Sequence, residues 1–579
     1  MAIQLQSIRF NHQPASAASD ALNCRVDGSQ PAPDWIRGAA APSPAVYALK
    51  PTRNQQLTIA STFSFPGALI PPPAPTLLVR AQPVSGTSSV LGSVAPTSVT
   101  IPLVAGANTL PTLFPLQSVQ IKSAGVGKYV VSWQWQVQLT PGGPWQDFDR
   151  SDHTIYVTLD LPGAPWSQAT DAAHQPLWPW TRVLDWACTW AQGVTGTSAA
   201  TVAAKVARAI EKGIYDLGTR PGLAPTYDPN GGEFANQVLN IFYCSDFLQL
   251  VDGTLPAGSI PVMSCIDCAA AVVTFANAVG CGLTLKKVHN GSQDFDTNAV
   301  VPIGGNAASP EVRTFGFHDI AVRPGATTAK GHVYDACLKI DLEADPASGR
   351  HRKFKLANGL ACGAFTRVPK KKYKYVHRLI TPADVSSSMI DDQPIMSLDG
   401  IGPPPPPPAP AVVAAKDKFR IIIDSVAPPI TDIHPFAARL APIAIPGYSA
   451  YEQIPNPRRL LVPEGLVTAS AEFWYVATPS SEARRQPGRD QRIQVSVGYA
   501  DSSSRAREAL AWLLVQSETR PTTLATSGGR LGDAAFQSSD KTVALVVYRN
   551  AVARVRSVGS RPAPVAEVLG RVALSFNEE

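Results

Sequence analysis

From Val131 to Leu139 the chain reads VSWQWQVQL, in which Val131, Trp133, Trp135, Val137 and Leu139 alternate strictly with Ser132, Gln134, Gln136 and Gln138. Successive side chains of a strand point to opposite faces, so this period of two describes a half-buried strand with two tryptophans on its inner side. The preceding QLTIASTFSF puts Leu57, Ile59, Phe63 and Phe65 on one face, and TLLVRAQ and HTIYVTL look like further strands with Pro- and Gly-rich turns between them. The spacing predicts a β-sandwich of immunoglobulin-like type over residues 1–165, its strands concentrated in 40–162. Such a domain carries no site of its own by pattern alone.

Length and composition set the wider frame. A chain of 579 residues with 45% hydrophobic content has room for three or four domains with real cores. The 54 prolines favour loops, edge strands and linkers over long helices. A net charge of +6 is small for this length and implies no nucleic-acid partner. The start, MAIQLQSIRFNHQPAS, lacks a charged segment followed by an apolar one, and no apolar run reaches transmembrane length. The expectation is a chain with no membrane segment, cytoplasmic at synthesis, with export by a signal-independent route left open.

Near Trp180 the pattern changes. WTRVLDWACTWAQG and AATVAAKVARAIEKGIYDLG have helical spacing and end at glycine, and FANQVLNIFYCSDFLQLV is read as a third helix. EVRTFGFHDIAVR and HVYDACLKIDL follow as strands, so residues 175–400 read as an α+β domain. GPPPPPPAPAVVAAKDK begins with six consecutive prolines, which adopt an extended, semi-rigid spacer; residues 402–416 are therefore expected to be a linker. Beyond it, EFWYVA, RIQVSVGYA, a helix over SSSRAREALAWLLVQS, the hairpin TVALVVYRN–AVARVRSV and a closing helix over APVAEVLGRVAL form a small α+β module, 417–579. That module shows no catalytic constellation and suits binding or assembly.

The eight cysteines all fall between Cys24 and Cys362, in a chain too large to need a disulfide framework. One stretch stands apart: VMSCIDCAAAVVTFANAVGCG, Val262 to Gly282. Ser264 and Asp267 fit a capping box, S-x-x-[DE], which starts a helix at Cys265. Unpaired N–H groups and the helix dipole there favour an anion, so a thiolate at Cys265 is stabilised. The same groups could hold an oxyanion. A structural zinc site wants four ligands, but there is no second C-x-x-C, and Cys244, Cys281 and Cys337 are scattered singly. A redox C-x-x-C wants a preceding strand in thioredoxin order, whereas helices come first here. Neither metal nor cofactor is implied.

A nucleophilic cysteine needs a base and a group to orient it. TFGFHDIAVR puts His318 in an apolar strand, and GHVYDACLKID puts Asp335 on the following strand, with RPGATTAKG as the turn between. Two such antiparallel strands can set imidazole and carboxylate side by side. With CIDCA at Cys265–Ala269, FHDIAV at Phe317–Val322 and VYDA at Val333–Ala336, residues about 180–365 resemble the transglutaminase-like fold, a relative of papain-type cysteine proteases. The resemblance implies a triad: Cys265 attacks a carbonyl, His318 takes the thiol proton and Asp335 fixes the tautomer of His318. Two positions depart from the family pattern. Cys268 stands where an aromatic is usual, and Asp319-Ile320 follows His318 in place of a small residue and Trp. A competing register uses His332 with Asp345. The hairpin geometry favours His318. Gln237, Asn240 and Tyr243, on the helix read before the cysteine stretch, are the oxyanion-side candidates.

The run PKKKYKYVHR, Pro369 to Arg378, interleaves basic residues with tyrosines and is expected to be a solvated basic strand at a domain edge. DPNGGEF lacks the GK[ST] of a phosphate loop and is expected to be a turn. The functional expectation is a cysteine enzyme that forms an acyl-thioester on a protein or peptide substrate. The alternative is a non-catalytic scaffold built on the same domain, with an assembly partner engaged through the flanking domains.

Overall fold

A computed structural model of the chain describes residues 3–12, 21–22, 24–25, 34–39, 43–52, 56–66, 76–102, 107–168, 178–221, 224–229, 232–237, 239–255, 261–291, 293–325, 327–343, 353–365, 373–385, 388–399, 410–426, 442–455, 462–463, 465–477, 491–517, 521–524, 532–558 and 562–576. The fold is mixed α/β, with sheets of two to nine strands. Among the described residues no helix is long and apolar enough to cross a membrane. The chain divides into two compact units: 1–213 with 273–283, and 214–272 with 284–579.

The first unit is built on a nine-stranded sheet. Its order is Asp34–Ile36, Gln4–Arg9, Thr58–Ser64, Thr112–Gln117, Ser93–Thr100, Thr76–Pro83, Gly127–Gln138, Trp145–Thr158 and Ala45–Ala48. The alternating stretch lies in the long hairpin Gly127–Gln138 with Trp145–Thr158, and Trp133 and Trp135 are fully buried. Phe63 and Trp135 sit four strand steps apart in this order, a separation of about 19 Å in a flat sheet. Their ring centroids are 5.6 Å apart. The sheet is therefore folded over on itself around one apolar core that draws on both halves. Two of its strands precede residue 40, where the alternation is too short to read. The helices Thr181–Trp190 and Ala199–Tyr215 form where the helical spacing predicts them. Residues 181–213 group with the β unit.

The second unit contains a five-stranded sheet in the order Leu360–Ala361, His332–Tyr334, Phe317–Arg323, Thr284–His289 and Met389–Gln393. It also contains an antiparallel seven-stranded sheet running from Tyr448–Pro455 through Ala469–Ala477, Arg492–Tyr499, Ala551–Ser557, Val543–Tyr548 and Ala534–Ser538 to Pro521–Thr523. Val546 belongs to a core shared with the helix Val565–Ser575, while Leu545 and Val547 belong to one shared with Ser503–Val515. Both faces are covered, which is why this strand reads as an unbroken apolar run rather than an alternation.

Two expectations are corrected in this unit. The stretch from Phe234 does not start a helix: Ala235–Asn236 and Ile241–Phe242 pair as a small hairpin, and the helix runs only Cys244–Asp252. Asn236 Oδ1 accepts the Leu239 N–H at 3.0 Å, and Asn240 takes a left-handed φ of 51°, so side-chain and backbone geometry favour a turn over a helix. The last residues of the expected linker 402–416 are helical, since Pro410–Val426 is one helix and Pro suits its first turn. Ile423 of that helix is fully buried beside Leu510 and Leu514. The six prolines lie outside the described residues.

Candidate functional site

The helix Cys265–Ala278 begins with a reciprocal cap. Ser264 N–H donates to Asp267 Oδ2 at 2.8 Å, and Asp267 N–H donates to Ser264 Oγ at 3.5 Å. Cys265 is thus the first helical residue. Asp267 also accepts the Phe234 N–H at 2.9 Å, which ties the start of the small hairpin to the helix start. The fit is close: a Cβ at Gly232 would lie 1.4 Å from Asp267 Oδ2. Burial raises the Asp267 carboxyl to about 7, against the opposing pull of its backbone donors.

His318 lies in Phe317–Arg323, antiparallel to His332–Tyr334, and its Nε2 is 3.1 Å from Asp335 Oδ2. Asp335 follows the second strand and interrupts HVYDACLKIDL, because its Oδ1 accepts the N–H groups of Cys337 at 2.8 Å and Leu338 at 3.3 Å. Its Oδ2 also accepts the hydroxyl hydrogen of Tyr375 at 2.7 Å. Burial, and then the adjacent carboxylate, hold the Tyr375 phenol well above its usual pKa, so it stays a donor. As a carboxylate, Asp335 only accepts, so the hydrogen between it and His318 belongs to Nε2. The imidazole then presents Nδ1 as an acceptor, and this buried atom has no hydrogen-bond partner among the described residues. Phe315 stacks on the ring at 5.5 Å and 16°.

The sulfur meets this strand at its open edge. Of the strand Phe317–Arg323, Ala321–Arg323 pair with His332–Tyr334, and among the described residues the edge beside Asp319 has no strand partner on that side. There the Asp319 N–H donates to Cys265 Sγ at 3.2 Å. The structure thus brings Cys265 to the residue next to His318, and His318 to Asp335.

Gln237 is in the hairpin turn. Its Nε2 donates to Asp319 Oδ2, and its Oε1 accepts from Lys287 Nζ at 2.9 Å. Lys287 lies 4.2 Å over the Phe317 ring. Burial raises the pKa of Asp319, with Lys287 pulling the other way. Asn240 lines, with Gln237, Asp319 and Gln393, a cavity of about 10 Å³, room for about one water-sized group. Tyr243 is separate: it stands at the N-cap position of Cys244–Asp252 without a side-chain capping bond, and its N–H donates to the Phe234 carbonyl at 2.6 Å.

The competing register is not brought to the sulfur. His332 pairs with Arg323, four residues along the strand from Asp319, which is about 13 Å. Its Nδ1 is bound to the Gly359 carbonyl at 2.9 Å. Asp345 lies outside the described residues. Among the described residues, no three His, Cys, Asp or Glu side chains group as metal ligands would.

Tyr375 is the site residue that sequence reasoning missed. It sits in the run expected to be a solvated basic strand. Of that run, residues 373–378 are described: Tyr375–Leu379 is a short helix whose Tyr375, Val376 and His377 are buried. Alternation of Lys and Tyr signals amphipathicity but not which tyrosine turns inward.

No family model matches the chain, and no curated protein does. Among solved structures it is similar to the crystal structure of red sea bream transglutaminase, at 11% identity and a TM-score of 0.24, over 87% of this chain and 75% of that one. A likeness that weak carries no weight on fold or chemistry, which have to be read from the residues themselves.

Proposed function

We propose that the chain is a transglutaminase-like cysteine enzyme, acting through Cys265, His318 and Asp335 on a carbonyl of a protein or peptide. The observation that carries the reading is the set of donors on the Asp335 carboxylate. With three other donors on it, Asp335 holds His318 by Nε2 and leaves Nδ1 as the basic nitrogen, on the residue next to the one that donates to Cys265 Sγ. In this scheme the thiol proton passes to Nδ1 and the thiolate attacks the carbonyl carbon. The leaving nitrogen then takes that proton as the C–N bond breaks, giving a thioester. Water or an amine, deprotonated by the same imidazole, attacks the thioester and releases the thiol. The Asp319 N–H and the helix N-terminus favour the thiolate before attack.

A second reading, a non-catalytic scaffold, is supported by one specific observation: Cys265 and His318 are both 0% exposed. Catalysis requires that cover to open. Incubation with a labelled primary amine and a glutamine-bearing peptide, followed by mass spectrometry, separates the two. The enzyme reading expects product from the wild type and none from Cys265→Ala or His318→Ala. Equal, background product from all three leaves the scaffold.

A further inference from the structure

The cysteine helix is preceded by a strand only two residues long, Val262–Met263, paired in parallel with Thr226–Tyr227. Two residues on each side do not support themselves as a sheet. The position of the strand is therefore set by what covers it. That cover comes from the seven-stranded sheet near the end of the chain. Val262 is fully buried in a cluster with Trp474 and Val558. Beside it, Arg556 Nε and Nη2 lie 2.9 and 2.5 Å from Asp228 Oδ2, and Arg556 Nη1 donates to Gln494 Oε1 at 3.1 Å. The Asp228 N–H in turn donates to the Met263 carbonyl at 2.9 Å, two residues before Cys265. Both charged side chains are buried, at 1% and 6% exposure. Arg554, equally buried, interacts with Glu472, Asp228 and Glu233, and Glu233 acts electrostatically on the capping residue Asp267.

We infer that Arg556 is a positioning residue for Cys265, acting through Asp228 and the Met263 carbonyl, and that the C-terminal sheet is therefore part of the machinery that presents the sulfur. This rests on the reading of Cys265 as a nucleophile. A buried ion pair is weak support for stability, because its desolvation cost offsets its attraction; fixing one geometry is the better-supported use. A nucleophile is sensitive to that geometry, since a displacement of about 1 Å from a distant change can cost about a hundredfold in rate.

The test uses full-length protein in three forms beside the wild type: Arg556→Met, Arg556→Lys and the double variant Asp228→Asn/Arg556→Met. Arg556→Met strands a buried carboxylate and can fail through folding alone. The double variant removes both charges, so its melt should return close to wild type. Two readouts follow Cys265: its rate of alkylation by iodoacetamide across pH, and hydrogen exchange of the peptide spanning residues 262–268. The expected result is a double variant that melts normally, exchanges faster in 262–268 and alkylates about tenfold or more slowly, with Arg556→Lys between it and wild type. Recovery of both exchange and alkylation together with the melt would overturn the inference and leave the pair merely structural. If wild-type Cys265 proves inert, the nucleophile reading fails, and exchange alone then decides whether Arg556 orders the helix start.

Discussion

Tyr375 donates to Asp335 Oδ2 over 2.7 Å from 40 residues down the chain, and so joins His318 and two backbone amides as donors on one buried carboxylate. Without the phenol, Asp335 keeps His318 and two backbone amides but gains freedom to rotate about its Cβ. Tyr375→Phe is expected to cost about 1.5–3 kcal/mol, as for a buried hydrogen bond to a charged group. It should also slow alkylation of Cys265 without abolishing it. Urea unfolding and labelling on the same sample check both. No change in either would show that Tyr375 does not hold Asp335.

Local rules made much of this site legible, and distance hid the rest. The Ser264–Asp267 cap is a contact between residues three apart, and the pairing of His318 with Asp335 needs only a hairpin, so both can be read from spacing. The Tyr375–Asp335 bond crosses 40 residues, and the Arg556–Asp228 pair crosses 328, with nothing in either local sequence to name its partner. The misread helix at Phe234 failed differently. Apolar residues there are spaced ambiguously between helix and strand, and the outcome turned on Asn236 and Asn240, whose turn chemistry outweighed periodicity.

Asp267 should make stability pH-dependent. Its folded pKa of about 7 stands above the ordinary value of 3.8, because burial disfavours the charged form. Between those values the folded chain holds a proton that the unfolded chain has lost. The contribution is complete below about pH 3.8 and is lost as pH rises through about 7. The full swing is of order 4 kcal/mol. Asp267→Asn should flatten this slope in urea midpoints measured from pH 4 to 8, even though its amide meets backbone donors and lowers stability overall. An unaltered slope would assign the pH dependence to other groups.

Thiol labelling should be selective. Burial pushes Cys24 and Cys362 up to about 12 and also raises Cys188 and Cys337, so these four are poor thiolate sources near neutrality. At about pH 6, iodoacetamide is expected to mark Cys265 before any other cysteine, favoured by its helix start and the Asp319 N–H. Peptide mapping over time reads the order. Preferential labelling of Cys268, or silence at Cys265 until the chain unfolds, would favour the scaffold.

The proline run should be cleavable without separating the chain. The sequence suggests that pieces ending near Gly402 and starting near Lys416 would each fold alone, but two observations argue otherwise. The helix Pro410–Val426 begins before Lys416, so the second piece would lose its first turns. Lys416 itself binds Glu508 at 2.6 Å, and Ile423 is buried under Ser503–Val515. Most directly, Arg556 and Val558 from the far side of the run cover Asp228 and Val262 on the near side. A protease site inserted within Pro403–Pro408 therefore gives a sharp expectation. After cleavage the two fragments should elute together on gel filtration, melt in one transition and retain Cys265 labelling at the uncut rate. Expressed separately, the fragment ending near Gly402 should aggregate or melt well below the nicked complex, because it leaves the apolar Val262 and the Asp228 carboxylate without their cover. Two well-behaved fragments that never associate would refute the interface and, with it, any role for Arg556 in placing the sulfur.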